Sequence, residues 1–328
     1  MHYDLPLDRL REYRPPLDDI VAADFDAFWG ETLDAAEARA WEPRLKRVET
    51  GLALVDSHDL IFAGYDGQPI RAWLNRPRGV RGNLPCIVSY IGYGGGRGIP
   101  EEHLFWASAG YVHIVMDLRG QGAGWGGGRG SAGATPDAGG DGASQMTGFL
   151  TRGIRDPNTS YFRRLFTDAI RCARVAATLP GIDPQRIAVQ GASQGGAQAL
   201  AAAAFAPVAA AMVDVPFLCH VAQAIRMVDS DPYFEVVRFL RAHRGAEPDV
   251  LRTLSYIDAV GFAARAEVPA LFSIALMDPV IPPRTAFAAF NHYGGEKELT
   301  VYPYAGHEGG EADQLRVQRG WVARRFAD

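Results

Sequence analysis

At 328 residues the chain can bury roughly three quarters of the surface it exposes when unfolded, so it needs neither disulfide nor metal staples. Its 33 basic and 38 acidic residues leave a net charge of −5, which argues against nucleic acid or an anionic membrane as the main partner. The three cysteines, Cys86, Cys172 and Cys219, lack metal-type spacing and fit small apolar packing roles in a reducing compartment.

The start, Met1-His-Tyr-Asp-Leu-Pro, lacks a charged head followed by an apolar core, so it is not read as a secretory signal. The longest uncharged apolar run, residues 199–213, is too short to span a bilayer and contains Pro207. The expectation is a soluble, cytoplasmic protein. Residues 1–16, with Pro6, Pro15 and Pro16, read as an extended arm. From Asp18, Ile20, Val21, Phe25, Phe28, Trp29 and Leu33 recur at helical spacing, with Asp18 or Asp19 as the cap. Residues 48–55 and 59–63 read as strands, and Asp66-Gly67 as a hairpin turn into a strand over 70–74. This opening is an antiparallel meander.

From Leu84 the pattern changes. Apolar strands over 86–91 and 111–116 flank a helix-like segment at 103–109, and loops rich in glycine and polar residues follow each strand. That alternation predicts a mostly parallel sheet with helices on both faces. Residues 122–148 are dense in glycine and read as an irregular loop. A helix over 161–179, with Ser160 or Thr159 as cap, leads into a strand at 187–189 and a buried, alanine-rich helix at 197–205. A strand over 209–215 precedes a helical insertion spanning about 217–255. Strands at 270–276 and 299–302 and a helix at 314–326 close the chain. No internal repeat is visible, and one domain is expected over 1–328, with the arm and first helix occupying 1–50.

Gly191-Ala192-Ser193-Gln194-Gly195 lies between a strand and a helix. A turn that tight admits only glycine on either side of the serine and lifts the hydroxyl clear of the backbone near a helix N-terminus. The plainer reading is a glycine-rich turn whose serine caps the helix. A serine hydroxyl becomes nucleophilic only beside a base, and histidine titrates in the useful range. In the α/β-hydrolase order of Ser, acid and His, the base follows Ser193, which leaves His220, His243, His292 and His307. His307 sits in the loop between the last strand and the last helix, where the base is expected. His292 reads as a helix end whose positive charge offsets the helix dipole, and His220 and His243 as structural residues of the insertion. Asp278, after the strand at 270–276 and before Pro279, is the candidate acid. Its alternatives are a plain Asp-Pro turn at the same position and Asp258 as a rival carboxylate. The oxyanion donors would be the backbone N–H groups of Gln194 and Tyr93.

Together, Arg119-Gly120-Gln121, Gly191-x-Ser193-Gln194-Gly195 and His307-Glu308 resemble the three signatures of the acetyl xylan esterase and cephalosporin C deacetylase esterases, carbohydrate esterase family 7. Residues 90–98, 149–157, 214–220 and 252–256 look similar too, so the likeness covers nearly the whole chain. The resemblance implies an α/β-hydrolase fold and deacetylation of small acetylated sugars, acetylated xylo-oligosaccharides and cephalosporin-type esters, with no metal or cofactor. It maps the family triad onto Ser193, Asp278 and His307 and the oxyanion donors onto Tyr93 and Gln194. It also implies a cytoplasmic homo-oligomer, a hexamer with enclosed sites. Arg119 and Gln121 match its structural motif and read as polar residues that order the loop. The family often has Asn before its histidine, where this chain has Ala305-Gly306.

Two other classes compete. Gly122-x-Gly124-x-x-Gly127 formally matches a dinucleotide fingerprint, but a nicotinamide enzyme needs that motif to open a helix, and here more glycine loop follows. A catalytically silent hydrolase scaffold is the other, opposed by the filled triad positions. Among hydrolases, a serine peptidase or an esterase for larger acyl groups uses the same machinery.

Overall fold

The computed structural model describes residues 4–124, 131–138 and 145–327. The arm of the chain is not wholly extended. Residues Leu7–Glu12 form a short helix (α1), because Leu10 finds a fully buried place. The next helix, α2 (Phe25–Glu37), has its N-cap at Asp24 rather than at the expected Asp18 or Asp19. Ile20 and Val21 are buried as expected, but from a single 3₁₀ turn at Leu17–Asp19. Neither Asp18 nor Asp19 caps the helix, and Asp24 at the N-cap instead accepts from the Tyr256 hydroxyl at 2.6 Å.

Strands β1 (Arg44–Val48), β2 (Val55–Ala63) and β3 (Pro69–Pro77) form the antiparallel meander. The stretch expected as one strand at 48–55 is the link between β1 and β2, which touch it only at its ends. The turn from β2 to β3 falls at Asp66 (φ 59°) and Gly67 (φ 70°), the two left-handed residues that reverse the chain. β1 ends the sheet on this side, its Arg44, Leu45, Lys46 and Arg47 side chains exposed.

The remainder alternates. β4 (Leu84–Tyr90), α3 (Phe105–Ser108), β5 (Val112–Met116), α4 (Tyr161–Ala176), β6 (Ile182–Ala192), α5 (Gln194–Phe205) and β7 (Ala210–Asp214) follow in order. The insertion then contributes α6 (Val221–Ala224), α7 (Tyr233–Ala242) and α8 (Glu247–Ile257). The chain closes with α9 (Ala259–Ala263), β8 (Ala270–Ala275), α10 (Pro283–His292), β9 (Lys297–Tyr302) and α11 (Glu311–Arg325). The nine strands form one sheet in the order β1-β2-β3-β5-β4-β6-β7-β8-β9, antiparallel as far as β5 and parallel from β5 to β9.

Strand alternation divides the core. Cys86, Val88, Ile187, Val189, Ala211, Val213 and Phe272 join the main cluster with α4, α5, α9 and α10. Ile87, Ala188, Ala210, Met212 and Leu271 face the other way, onto Trp106 of α3 and Trp321 and Val322 of α11. The helices therefore cover both faces, as the alternation predicts. All three cysteines are buried free thiols in the main cluster. Ser160 occupies the N-cap of α4 without a side-chain cap bond, and the Thr159 hydroxyl donates to Gly153 and Asp156 carbonyls instead. Among the described residues no helix is long and apolar enough to cross a membrane.

One buried ion pair ties the meander to the parallel half. Arg119, after β5, donates Nε and Nη2 to the two Asp168 carboxylate oxygens at 2.6 and 2.7 Å, with both side chains almost wholly buried. The Tyr65 N–H donates to the same carboxylate at 2.8 Å. Asp168→Ala would leave the guanidinium without its bidentate partner, so it should destabilise the fold by about 3–5 kcal/mol. Urea unfolding of the variant beside the parent protein measures this, and a difference below about 1 kcal/mol would contradict it.

Candidate active site

The sharp turn between β6 and α5 sets the geometry. Ser193 has φ 56° and ψ −119°, a conformation that costs a side-chain-bearing residue about 1–3 kcal/mol. Its N–H donates to the Asp214 carbonyl at 3.0 Å, and its carbonyl accepts from Phe217 N at 3.0 Å and Ala197 N at 3.2 Å. The flanking glycines are required by space. A Cβ on Gly191 would stand 2.2 Å from the Gly195 carbonyl, and one on Gly195 would stand 2.2 Å from the Tyr90 oxygen.

His307 lies in the loop between β9 and α11, and its Nε2 is 3.1 Å from the Ser193 Oγ. Its Nδ1 is 2.8 Å from Asp278 Oδ2. Asp278 follows β8, and its other oxygen accepts from the Val280 and Ile281 N–H groups, each at 2.8 Å. Those two bonds fix the carboxylate, so Oδ2 faces the ring and favours the tautomer with hydrogen on Nδ1. Nε2 is then an acceptor for the serine proton. The structure thus joins Ser193, His307 and Asp278 in one continuous chain of contacts.

The other candidates are used elsewhere. Asp258 caps α9 and accepts from His220, Val221 and Val260 N–H groups at 2.9, 2.7 and 3.0 Å. The His220 Nδ1 lies 3.1 Å from the Tyr13 hydroxyl, and the His243 Nδ1 lies 3.0 Å from the Phe239 carbonyl. His292 does end a helix, but burial lowers its pKa, which favours the neutral ring over the expected cation. Its Nε2 lies 2.8 Å from the Pro15 carbonyl, holding the N-terminal arm.

Gln121 joins the two loops expected to supply oxyanion donors. Its Oε1 accepts from Gly94 N at 2.7 Å, and its Nε2 donates to Gln194 Oε1 at 3.0 Å and the Tyr161 hydroxyl at 2.9 Å. Gln194 is the first residue of α5, where backbone N–H groups find no carbonyl within their helix. Tyr93 follows β4 in the loop that Gln121 holds. Gly120 has φ 66°, and a Cβ there would stand 3.0 Å from the Asp137 Cβ. Glu308 accepts from Gly306 N at 2.9 Å and so closes its own loop. The dinucleotide motif is not read as a helix start: Gly122 and Gly124 have φ of 105° and 92°, and Gly127 lies outside the described residues. A Cβ on Gly122 would stand 2.0 Å from Gly133 N, so this glycine serves loop packing.

Two acidic residues near the site are not singled out from the sequence, although Asp214 lies in the 214–220 stretch of the family likeness. Asp214 ends β7 and accepts from Ser273 Oγ at 2.6 Å, Gln314 Nε2 at 3.0 Å and Gln318 Nε2 at 2.5 Å. Glu235 of α7 reaches the Tyr93 hydroxyl at 2.8 Å. Their partners are distant in sequence, so local pattern could not pair them. A cavity of about 610 Å³ between the insertion and the Asp278 loop has Arg226, Met227, Phe234 and Pro282 among its walls.

Residues 1–324 match the family model described as acetyl xylan esterase. The chain belongs to the acetyl xylan esterase family. It is therefore placed among carboxylic ester hydrolases with the α/β-hydrolase fold. An acetyl xylan esterase structure from Paenibacillus sp. R4 is 35% identical, with a TM-score of 0.88, covering 98% of this chain and 99% of that one. Acetyl xylan esterase 1 from Thermoanaerobacterium sp. JW/SL YS485 is 29% identical, with the same TM-score and coverage. An acetyl esterase of Xylanibacter ruminicola is 26% identical over 296 residues, 87% of this chain, and the match spans 63% of that relative's length.

Burial pushes the Asp214 carboxyl up to about 6 and the Asp258 carboxyl up to about 7. The folded protein therefore keeps protons on them that an unfolded chain loses near pH 4. Their contribution to stability is complete below about pH 4 and is lost as pH rises through 6 and 7. The urea midpoint should therefore fall less between pH 5 and pH 8 in Asp258→Asn than in the parent. An equal fall in both would exclude Asp258 as a contributor.

Proposed function

We propose that this protein is a serine esterase that removes acetyl groups from small acetylated sugars, including xylo-oligosaccharides, and from cephalosporin C-type esters. The observation that carries the reading is the Oγ–Nε2 contact at 3.1 Å and the Nδ1–carboxylate contact at 2.8 Å, built on the strained turn. Family membership and the likeness to acetyl xylan esterase structures support the acetyl preference.

In this mechanism the Ser193 Oγ attacks the acetyl carbonyl carbon while its proton passes to His307 Nε2. The Asp278 carboxylate holds the ring and stabilises the imidazolium. Charge gathers on the former carbonyl oxygen, where the N–H groups of Gln194 and Tyr93 stabilise it. Collapse breaks the bond to the sugar oxygen, which takes the proton from His307 and leaves as the alcohol. Water then attacks the acetyl-serine, giving a proton to His307. The second collapse returns that proton to Ser193 and releases acetic acid, which ionises to acetate in solvent. Atoms and protons balance over the cycle, with water as the only co-reactant.

Ser193→Ala should abolish hydrolysis of 4-nitrophenyl acetate with the circular dichroism spectrum unchanged, and near-full turnover would refute the mechanism. His307→Ala should lower kcat by about 10⁴–10⁶, while His292→Ala should leave it within about tenfold. The reverse pattern would move the base to His292. A panel of acetylated xylo-oligosaccharides, cephalosporin C, 4-nitrophenyl butyrate and peptide anilides should show turnover of acetyl esters above the rest. Preference for butyrate or anilide would replace the acetyl reading.

A further inference from the structure

The helical insertion reaches the loop after β4 at Tyr93. Glu235, in the first turn of α7, is buried and takes the Tyr93 hydroxyl on both carboxylate oxygens, at 2.8 and 2.9 Å. The same carboxylate accepts from Leu150 N at 3.2 Å, and the Tyr93 oxygen accepts from Phe149 N at 2.7 Å. The Tyr93 ring meets Phe149 and Phe217 edge-on, with centroids 5.8 and 6.1 Å away. Two residues earlier in α7, the Tyr233 hydroxyl accepts from Leu218 N at 3.1 Å. The first turn of α7 therefore contacts both the loop after β4 and the loop after β7, which frame Ser193.

We infer that Glu235 is a positioning residue for the oxyanion hole, holding the Tyr93 side chain so that its main-chain N–H is aimed at the developing acetyl oxyanion. This rests on the proposed esterase reading, in which Tyr93 supplies a donor. The next residue, Gly94, is held by Gln121 at 2.7 Å. Gln121 fixes the loop from the nucleophile side and Glu235 fixes it from the insertion. A tyrosine ring gripped at its hydroxyl and flanked by two aromatic rings is held in one rotamer, and the backbone that carries it has little freedom left. Positional precision matters here because a displacement of about 1 Å in a catalytic group can cost about 10²-fold in rate.

Burying a carboxylate is unfavourable, and desolvation raises the Glu235 pKa. The Tyr93 hydroxyl and Leu150 N–H offset that by favouring the charged form. A glutamine could accept the same two hydrogen bonds, whereas an alanine would leave both donors unpartnered by this side chain.

The test is steady-state kinetics with 4-nitrophenyl acetate and inhibition by phenylboronic acid, which forms a tetrahedral adduct on a reactive serine. Glu235→Ala should lower kcat about tenfold or more with KM within about twofold, because an oxyanion donor acts in the transition state. Phenylboronate should weaken by a similar factor. Tyr93→Phe should show the same pattern, the double variant should lose no more than the worse single, and Glu235→Gln should recover most of the loss. Wild-type kcat and boronate affinity in Glu235→Ala, or losses that multiply in the double variant, would overturn the inference. Should Glu235→Ala fail to fold, an unchanged kcat and boronate affinity in folded Tyr93→Phe would overturn it, and a matching loss in both would support it. Failure of the esterase reading looks different: the parent protein would then resist fluorophosphonate labelling at Ser193.

Discussion

The arrangement depends on how closely three pieces of backbone approach one another around Ser193. Gly191 and Gly195 touch main chain where any side chain would intrude, and the serine between them accepts an unfavourable φ. The surrounding hydrogen bonds hold that strain in place, notably from the Ser193 N–H to the Asp214 carbonyl. Asp214 has a second task. Its carboxylate takes Gln314 and Gln318 of α11, the helix that follows the His307 loop. One residue thus anchors the backbone of the serine and the helix beside the histidine.

The sheet supplies the rest by arranging its strand ends. The loop after β4 carries Tyr93, the loop after β5 carries Gln121, and Ser193 directly follows β6. Asp278 follows β8 and His307 follows β9. Functional groups gathered outside the carboxyl ends of parallel strands are the usual product of this topology. Here side-chain amides and carboxylates join the loops laterally. Gln121 spans the loops after β4 and β6, and Asp214 spans β7, β8 and α11. Such networks are rigid when every member is satisfied.

Much of this was legible in the sequence. Alternating apolar strands and glycine-rich strand ends gave the mixed sheet, and the order of Ser193, Asp278 and His307 gave three residues that do lie in contact. What escaped was set by distant partners. Asp24 looks like part of a helix interior until Tyr256, 232 residues away, takes its carboxylate. Ile20 and Val21 share the helical spacing, yet a lone turn buries them as well as a helix would. Glu235 sits in a charged amphipathic segment, and its partner is 142 residues earlier. The expected charge on His292 failed because its burial against the arm was invisible from local pattern.

The exposed rim at β1 has a consequence for how copies of this protein meet. An outermost strand offers unpaired amides and carbonyls to any passing chain, the usual start of runaway sheet growth. This one is short and displays Arg44, Lys46 and Arg47 to solvent. A second copy approaching in the same way would bring cations against cations, which disfavours cross-strand pairing. The charge on this strand thus works against edge-to-edge growth through the meander.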